Sequence, residues 1–343
     1  MQSEIIKPSD LLNEKGELIQ KGWARKLILD YNREKIKAGP LRIKEWDYYA
    51  ILNLQDLYGI TFTVADLGFA GLIAVVFLDF KKKTYEPNEI MVMFTKGRFR
   101  LPRTSETGDI ILSEKGLSLS FVKKVNKRIL NLDYSQFNEG EGIKVELELL
   151  QDPKLDTMVI ATSWKKAPTR FYYNQKINCM PAKGFTQIGS NTYNFENDNS
   201  FGVLDWGRGV WTRKNTWYWG SASGKSNDGT SIGWNLGYGF SDRSCATENI
   251  AFYNGIAHKL DQVTFQFDQK NYLKPWKFTS NDGRFEMEME PIVDRNSKTN
   301  LLLIESVQHQ VFGFFSGYFI LDDGRKIEVK KLLGFAEEVY NKW

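Results

Sequence analysis

An alternation of apolar and polar side chains with a period of two runs through the chain from Leu41 onward. It is clear at residues 46–52, 145–149, 263–267 and 285–289, where every second residue is apolar. Asp-Gly and Asn-Gly pairs, as at residues 228–229 and 254–255, separate such runs and are typical of tight hairpin turns. Helical patterns between the predicted strands are missing, which argues against a parallel sheet. The sequence therefore predicts an all-β, antiparallel fold.

Both ends of the chain depart from this pattern. Within residues 22–40, Trp23, Leu27 and Tyr31 recur every four positions, and Gly39-Pro40 follows them. That spacing and that ending predict an amphipathic helix. The last ten residues, GFAEEVYNKW, are predicted to form a short closing helix.

The length of 343 residues fits two domains or one large β-structure. Residues 174–200 are polar and loop-like, and seven of the ten tryptophans follow them. We therefore expect an N-terminal helical segment at 1–40, a first β domain at 41–185 and a second at 186–343.

Composition excludes several classes of function. The net charge is +4 and the lysine runs are short and scattered, so a nucleic-acid-binding surface is not expected. Two cysteines and two histidines are too few for a Cys/His zinc cluster, and we expect no metal and no other cofactor. The sequence shows no secretion signal and no stretch of about 18 apolar residues, so we expect a cytoplasmic protein without stable membrane insertion. The oligomeric state is left open.

Three local patterns resemble known kinds of functional site. Residues 220–226, GSASGKS, have one residue too few between the glycines for a phosphate loop, and they run into a turn rather than a helix. Glu286 and Glu288 share one face of a strand and could serve a carbohydrate-cleaving site. The opposite face of this strand is apolar, which favours a solvated position for the glutamates. His309, in an apolar strand, is a candidate acid–base group, whereas His258 is expected at the surface.

The densest chemical signal lies in residues 201–249, where aromatic and charged residues are interleaved. Charged groups are rarely buried unless paired, and a carboxylic acid among aromatic rings can have a raised pKa, as proton donation at neutral pH requires. This pattern is typical of either an aromatic core with buried ion pairs or a ligand cavity. The candidate catalytic residues are Asp205, Glu248 and His309, and the candidate ligand-binding residues are Trp206, Trp211, Trp217, Tyr218, Trp219, Trp234, Tyr238, Asp242, Arg243 and Asn249.

The chain resembles a bacterial family defined as domain of unknown function 2804. The matching stretches are LRIKEWDYYAI, LPRTSETGD, FYYNQKINCMPA, FGVLDWGRGVW, TWYWGSASG, YGFSDRSCATEN, KPWKFTSNDGRFEM, QHQVFGFFSG and LLGFAEEVYNKW. The family is similar to two-domain lipocalin-like proteins that include carotenoid hydratases and tocopherol cyclase, which implies two consecutive antiparallel β-barrels. A hydratase motif of the form Asp-His-x-Trp-Gly resembles Asp205-Trp206-Gly207 here; the resemblance carries over Asp205 as an acid, whereas the histidine has no counterpart.

Two main functions are compatible with these observations. One is a cofactor-free enzyme that hydrates, isomerises or cyclises an apolar small molecule. In it Asp205 donates a proton, and the rings of Trp206, Trp217, Trp219 and Trp234 stabilise the developing cation. The other is a non-catalytic carrier of a lipid or similar hydrophobic ligand. Charged residues on the floor of the cavity favour the enzyme, whereas charged residues at its rim alone favour the carrier. Carbohydrate processing through Glu286 and Glu288 is a third, weaker alternative.

Overall fold

The computed structural model describes residues 2–301 and 304–342. Within them the regular secondary structure is almost entirely β-strand, with 3-10 helices of one turn at Arg33–Lys35, Pro40–Arg42 and Asn138–Gly140. No helix in the described part of the chain has the length and apolar character to cross a membrane. The all-β prediction is confirmed.

The strands up to residue 210 belong to the first half of the molecule. They are β1 (Ser9–Asp10), β2 (Gly22–Ala24), β3 (Leu29–Asp30), β4 (Ile43–Asn53), β5 (Tyr58–Asp66), β6 (Ala70–Asp79), β7 (Thr84–Met93), β8 (Ile110–Glu114), β9 (Leu117–Lys124), β10 (Lys127–Tyr134), β11 (Ile143–Leu150), β12 (Met158–Trp164), β13 (Ala167–Ile188), β14 (Asn191–Phe195) and β15 (Ser200–Val210). Apart from the small β1–β3 pair, they form one sheet with the order β7-β6-β5-β4-β15-β13-β11-β10-β9-β8, onto which β12, β14 and β2 are added.

The remaining strands form a second sheet. They are β16 (Lys214–Lys225), β17 (Ser231–Tyr238), β18 (Ile250–Tyr253), β19 (Ile256–Lys259), β20 (Val263–Gln266), β21 (Trp276–Ser280), β22 (Phe285–Leu301), β23 (Ile304–Ile320) and β24 (Lys326–Lys342). Their order is β19-β18-β17-β16-β24-β23-β22-β21-β20. The two sheets are barrel-like, as expected. The chain changes sheet between Val210 and Lys214, later than the predicted division near residue 185.

The predicted N-terminal helix is wrong. Trp23 pairs with Ile160 in β2–β12 and packs in a cluster with Met158, whereas Leu29 and Tyr31 enter the core of the first sheet. The four-residue spacing therefore reflects contacts with two different cores, which an extended chain can reach and one helix face cannot.

The predicted C-terminal helix is also wrong. Residues 334–342 belong to β24, which lies between β16 and β23 in the interior of the second sheet. Glu337 and Glu338 look helix-forming in sequence, but in the strand they point to opposite faces. Hydrogen bonding to two neighbouring strands outweighs their local preference.

One predicted hairpin is confirmed in detail. Asn254 and Gly255 connect β18 to β19, and their φ angles are 49° and 76°. Positive φ at both positions is what a type I′ turn requires, and the twist of that turn matches the flanking strands.

Candidate functional site

A cavity of about 280 Å³ lies between the two sheets. The first sheet contributes residues from β4, β5, β6, β7, β13 and β15, and the second from β16, β22, β23 and β24. Alternation along β4 directs Trp46 and Tyr48 towards the cavity, while Tyr49 and Ile51 enter the core of the first sheet. The cavity is therefore shared by the two sheets.

Aromatic rings form one wall of this cavity. Trp46 stacks on Tyr172 with ring centroids 6.2 Å apart and meets Trp211 edge-on at 5.2 Å. Trp211 in turn contacts Trp217 at 5.9 Å and Phe240 at 5.0 Å. Such a wall suits an apolar ligand, and its ring faces attract positive charge.

The position of Trp46 depends on a glycine. Gly207 pairs with Trp46 across β15 and β4, and a Cβ atom at Gly207 would lie 1.9 Å from Cζ2 of the indole. A methyl group cannot occupy that space unless the ring moves. The absence of a side chain at Gly207 therefore permits the aromatic wall to form.

An ion pair lies within the cavity lining. Lys176 and Asp205 are directly opposite on β13 and β15, and Nζ lies 2.7 Å from Oδ2. The other carboxylate oxygen accepts a hydrogen bond of 2.6 Å from Nδ2 of Asn174. Nζ also lies 4.0 Å from the ring centroid of Trp219. Both oxygens of Asp205 are thus engaged as acceptors, so the carboxylate is well placed to orient Lys176.

Glu337 of β24 is a buried carboxyl group in the same cavity. Oε1 accepts a hydrogen bond of 3.0 Å from Nε1 of Trp217, and Oε2 accepts one of 3.1 Å from Nε2 of Gln310. Burial raises the pKa of Glu337 to about 7, against the opposing effects of the Trp217 hydrogen bond and the charge of Lys176. A pKa close to neutral is the value at which a carboxyl group both donates and accepts protons efficiently.

Glu248 supplies a third carboxyl group to the cavity lining. It lies between β17 and β18, where the hydroxyl of Tyr172 donates a hydrogen bond of 3.4 Å to Oε2. Gly237 leaves room for it, because a Cβ atom there would lie 3.0 Å from that same oxygen. Burial raises the pKa of Glu248 above its ordinary value. Two of the three carboxyl groups are therefore biased towards the protonated form.

The sequence matches the model of one protein family over almost its full length. The family described as "Domain of unknown function (DUF2804)" matches residues 2–343. The chain belongs to the DUF2804 family. No functionally curated protein matches this sequence at a significant level.

Solved structures with low sequence identity share the fold of this DUF2804 protein. A protein assigned as AttH (NE1406) from Nitrosomonas europaea is 13% identical, with a TM-score of 0.51 over 90% of this chain and 96% of its own. CghA, solved with Sch210972, is 10% identical, with a TM-score of 0.51 over 98% and 97% of the two chains. These similarities confirm the two-barrel, lipocalin-like architecture.

The structure brings a subset of the predicted site residues together. Six line the cavity between the sheets: Asp205, Trp211, Trp217, Tyr218, Trp219 and Glu248. Trp206 and Trp234 do not, because each is fully buried within the core of its own sheet. Trp206 follows Asp205 on β15 and so faces the opposite way. Their predicted contact with a ligand is corrected to a packing role.

Four further predicted residues lie outside the cavity lining. Tyr238 faces a shallow groove beside Phe265, and Arg243 lies over its ring at 5.4 Å. Asp242 accepts a hydrogen bond from the Ser244 backbone. Asn249 accepts one from the Gly237 backbone and donates one to the Asp261 carbonyl, so that it fixes the loop carrying Glu248. Both hydrogen bonds of Asn249 are to residues of the second half of the chain.

The other acid–base candidates lie elsewhere. His309 points to the face of β23 opposite Gln310, where Nδ1 lies 2.8 Å from Asp294 and the ring stacks on Tyr272 at 3.7 Å. Glu286 and Glu288 do not line the cavity, and the alternate residues of β22 form the core. The two candidate sites are therefore separate from the aromatic cleft.

Sequence reasoning missed five important members of the cavity. Trp46, Tyr172 and Lys176 lie in the first half of the chain, outside the aromatic cluster at 201–249. Arg295 lies in the long strand β22 and Glu337 in the long strand β24. The sequence predicted a helix for the end of β24 that contains Glu337. In a strand, Glu337 lies on the same face as Phe335 and Val339. A carboxyl group on an apolar strand face was the sequence signal that could have identified Glu337 as a site residue.

The described residues contain no group of three or more His, Cys, Asp or Glu side chains arranged to hold a metal ion. The cavity carboxyl groups instead contact indole, amide, hydroxyl and ammonium donors.

Proposed function

We propose that this protein is a cofactor-free enzyme that protonates an alkene or a polarised group of an apolar small molecule in the cleft between the sheets. The observation that carries the proposal is the enclosure of three carboxyl groups within an aromatic-walled cavity. Water-poor surroundings of this kind strengthen electrostatic effects and suit proton transfer to a weakly basic carbon.

Glu337 is the proposed proton donor. Its position and its pKa of about 7 allow it to be protonated before the reaction and to recover the proton afterwards. Asp205, which the sequence suggested for this role, pairs with Lys176 and accepts from Asn174. We therefore assign Asp205 to positioning Lys176 in the cavity.

The cation formed by protonation would meet the aromatic wall. The rings of Trp46, Trp211 and Trp217 line the cavity and can stabilise positive charge by cation–π attraction. Capture by water gives hydration, and attack by an internal nucleophile gives cyclisation. Loss of a different proton back to Glu337, which is a carboxylate once it has donated its own, gives isomerisation.

The location of charge supports an enzyme over a carrier. Lys176, Asp205, Glu248, Arg295 and Glu337 are all buried and line the cavity. A carrier of apolar ligands gains nothing from desolvating so many ionisable groups, since burying charge costs free energy. CghA, which shares the fold, was solved with Sch210972, and this supports a ligand-binding role in the present proposal.

The test is incorporation of deuterium from solvent. The apolar compound released from the purified protein is identified by mass spectrometry and then incubated with fresh protein in D₂O. We expect carbon-bound deuterium with the wild-type protein and loss of that incorporation with Glu337→Gln. Glu338→Gln is the matched control, because Glu338 is the next residue on the opposite face and binds Tyr218 and Tyr272.

Two results would count against the proposal. Binding of the compound without deuterium incorporation would identify the protein as a carrier. Equal incorporation by wild type and Glu337→Gln would remove Glu337 from the reaction.

A further inference from the structure

Arg295 is a buried guanidinium that lines the cavity. It lies on β22, opposite Gln310 of β23, and only 8% of its surface is exposed. Nη1 donates a hydrogen bond of 3.0 Å to Oε1 of Gln310. Within the described part of the chain, this is the single hydrogen bond that the guanidinium makes to the protein. No carboxylate in that part forms an ion pair with it. An arginine has five N–H donors, so most of them are open to the cavity.

A second buried arginine shows how this protein satisfies such a group when its role is structural. Arg208 is completely buried and pairs with Asp47 at 3.1 Å. Its guanidinium also donates to the backbone carbonyls of Trp46, Gly207 and Pro102. Arg295 has neither an ion pair nor a backbone acceptor, although leaving a charged group buried and unpaired is strongly unfavourable. The difference indicates that its partner is a ligand.

The other buried charged side chains of the cavity are hydrogen-bonded to groups other than Arg295. Lys176 and Asp205 neutralise one another through their ion pair. Burial favours the neutral forms of Glu248 and Glu337. Arg295 therefore adds a positive charge to the buried lining beside the aromatic wall. Glu337, whose pKa burial raises against the opposing effect of this charge, is hydrogen-bonded to Trp217 and Gln310 and not to the guanidinium itself.

We infer that Arg295 binds an oxyanion of the ligand, so that the substrate class is an apolar ring or chain bearing a carboxylate or an enolate oxygen. The planar guanidinium can form two parallel hydrogen bonds with such a group, which fixes the orientation of the ligand as well as holding it. The inference deepens the proposed function and rests on it in placing the ligand in the same cavity. Arg295 would hold the charged end of the ligand, while the apolar part of the ligand lies against Trp46, Trp211 and Trp217.

The test uses two aromatic probes of similar shape, 2-naphthoate and its uncharged amide, 2-naphthamide. Binding is followed at pH 7.5 by quenching of tryptophan fluorescence and by calorimetry. We expect naphthoate to bind the wild-type protein roughly ten- to a hundredfold more tightly than naphthamide, the range for a hydrogen bond to a charged group. Arg295→Met should abolish the preference, Arg295→Lys should keep part of it, and Arg325→Gln, at an exposed arginine, should leave it unchanged.

Equal binding of the acid and the amide by the wild-type protein would overturn the inference. So would a preference that survives in Arg295→Met and disappears in Lys176→Met, because Lys176 would then be the anion-binding group. Circular dichroism of each variant establishes that it is folded. The readout is binding and not turnover, so a preserved naphthoate preference together with absent deuterium incorporation would reject the proposed reaction and retain the role of Arg295.

Discussion

Replacing Glu337 by Gln should change how the stability of the protein depends on pH. Burial raises the pKa of Glu337 from 4.5 to about 7, so the folded protein holds this proton more tightly than the unfolded chain. The contribution of the proton to stability is present below about pH 4.5 and is lost as pH rises through about 7. At about 1.36 kcal/mol for each unit of pKa, the wild-type free energy of unfolding should fall by roughly 2.5 kcal/mol between pH 5 and 8 relative to Glu337→Gln.

Urea denaturation of both proteins at pH 5, 6, 7 and 8 measures this difference. Taking wild type minus variant removes the contributions of other titrating groups, including Glu248. A difference that stays constant across this range would show that Glu337 titrates alike in the folded and unfolded states. That result would refute the assignment of Glu337 as a proton donor tuned by burial.

Three further predictions concern the same cleft and its surroundings. Asp205→Asn leaves Lys176 buried without its partner, and should lower the free energy of unfolding by about 3–5 kcal/mol in urea denaturation. Gly207→Ala should displace the ring of Trp46 and cost about 1–3 kcal/mol, with a shift in tryptophan emission. Burial raises the pKa of the Cys179 thiol to about 11, so iodoacetamide at pH 8 should alkylate it only after denaturation, as peptide mass spectrometry would show.

The fold was predictable because the alternation of apolar residues is a direct consequence of strands with one buried face. The same alternation reports nothing about which strands are neighbours. The ends were mispredicted because Trp23 and Tyr31 pack in different clusters, and because β24 is held by β16 and β23. Both depend on contacts between distant parts of the chain, which local patterns do not contain.

The candidate site was predicted in part for a related reason. Asp205, Trp217 and Glu248 lie in the aromatic cluster, and their chemistry is visible in the sequence. Their partners, such as Lys176, become neighbours only when β13 pairs with β15. Residue type alone also cannot separate Trp217 from Trp206, because the face of the strand on which each lies decides which one meets a ligand.

The central claim is that the cleft between the sheets is the ligand site. Photo-crosslinking with 4-benzoylbenzoate, an aromatic carboxylate, followed by peptide mass spectrometry tests it most directly. The account predicts labels in residues 211–219 and 335–341, which supply the wall and Glu337, and their loss in Arg295→Met. Labels concentrated instead in residues 265–270, at the shallow groove beside Tyr238, would contradict it.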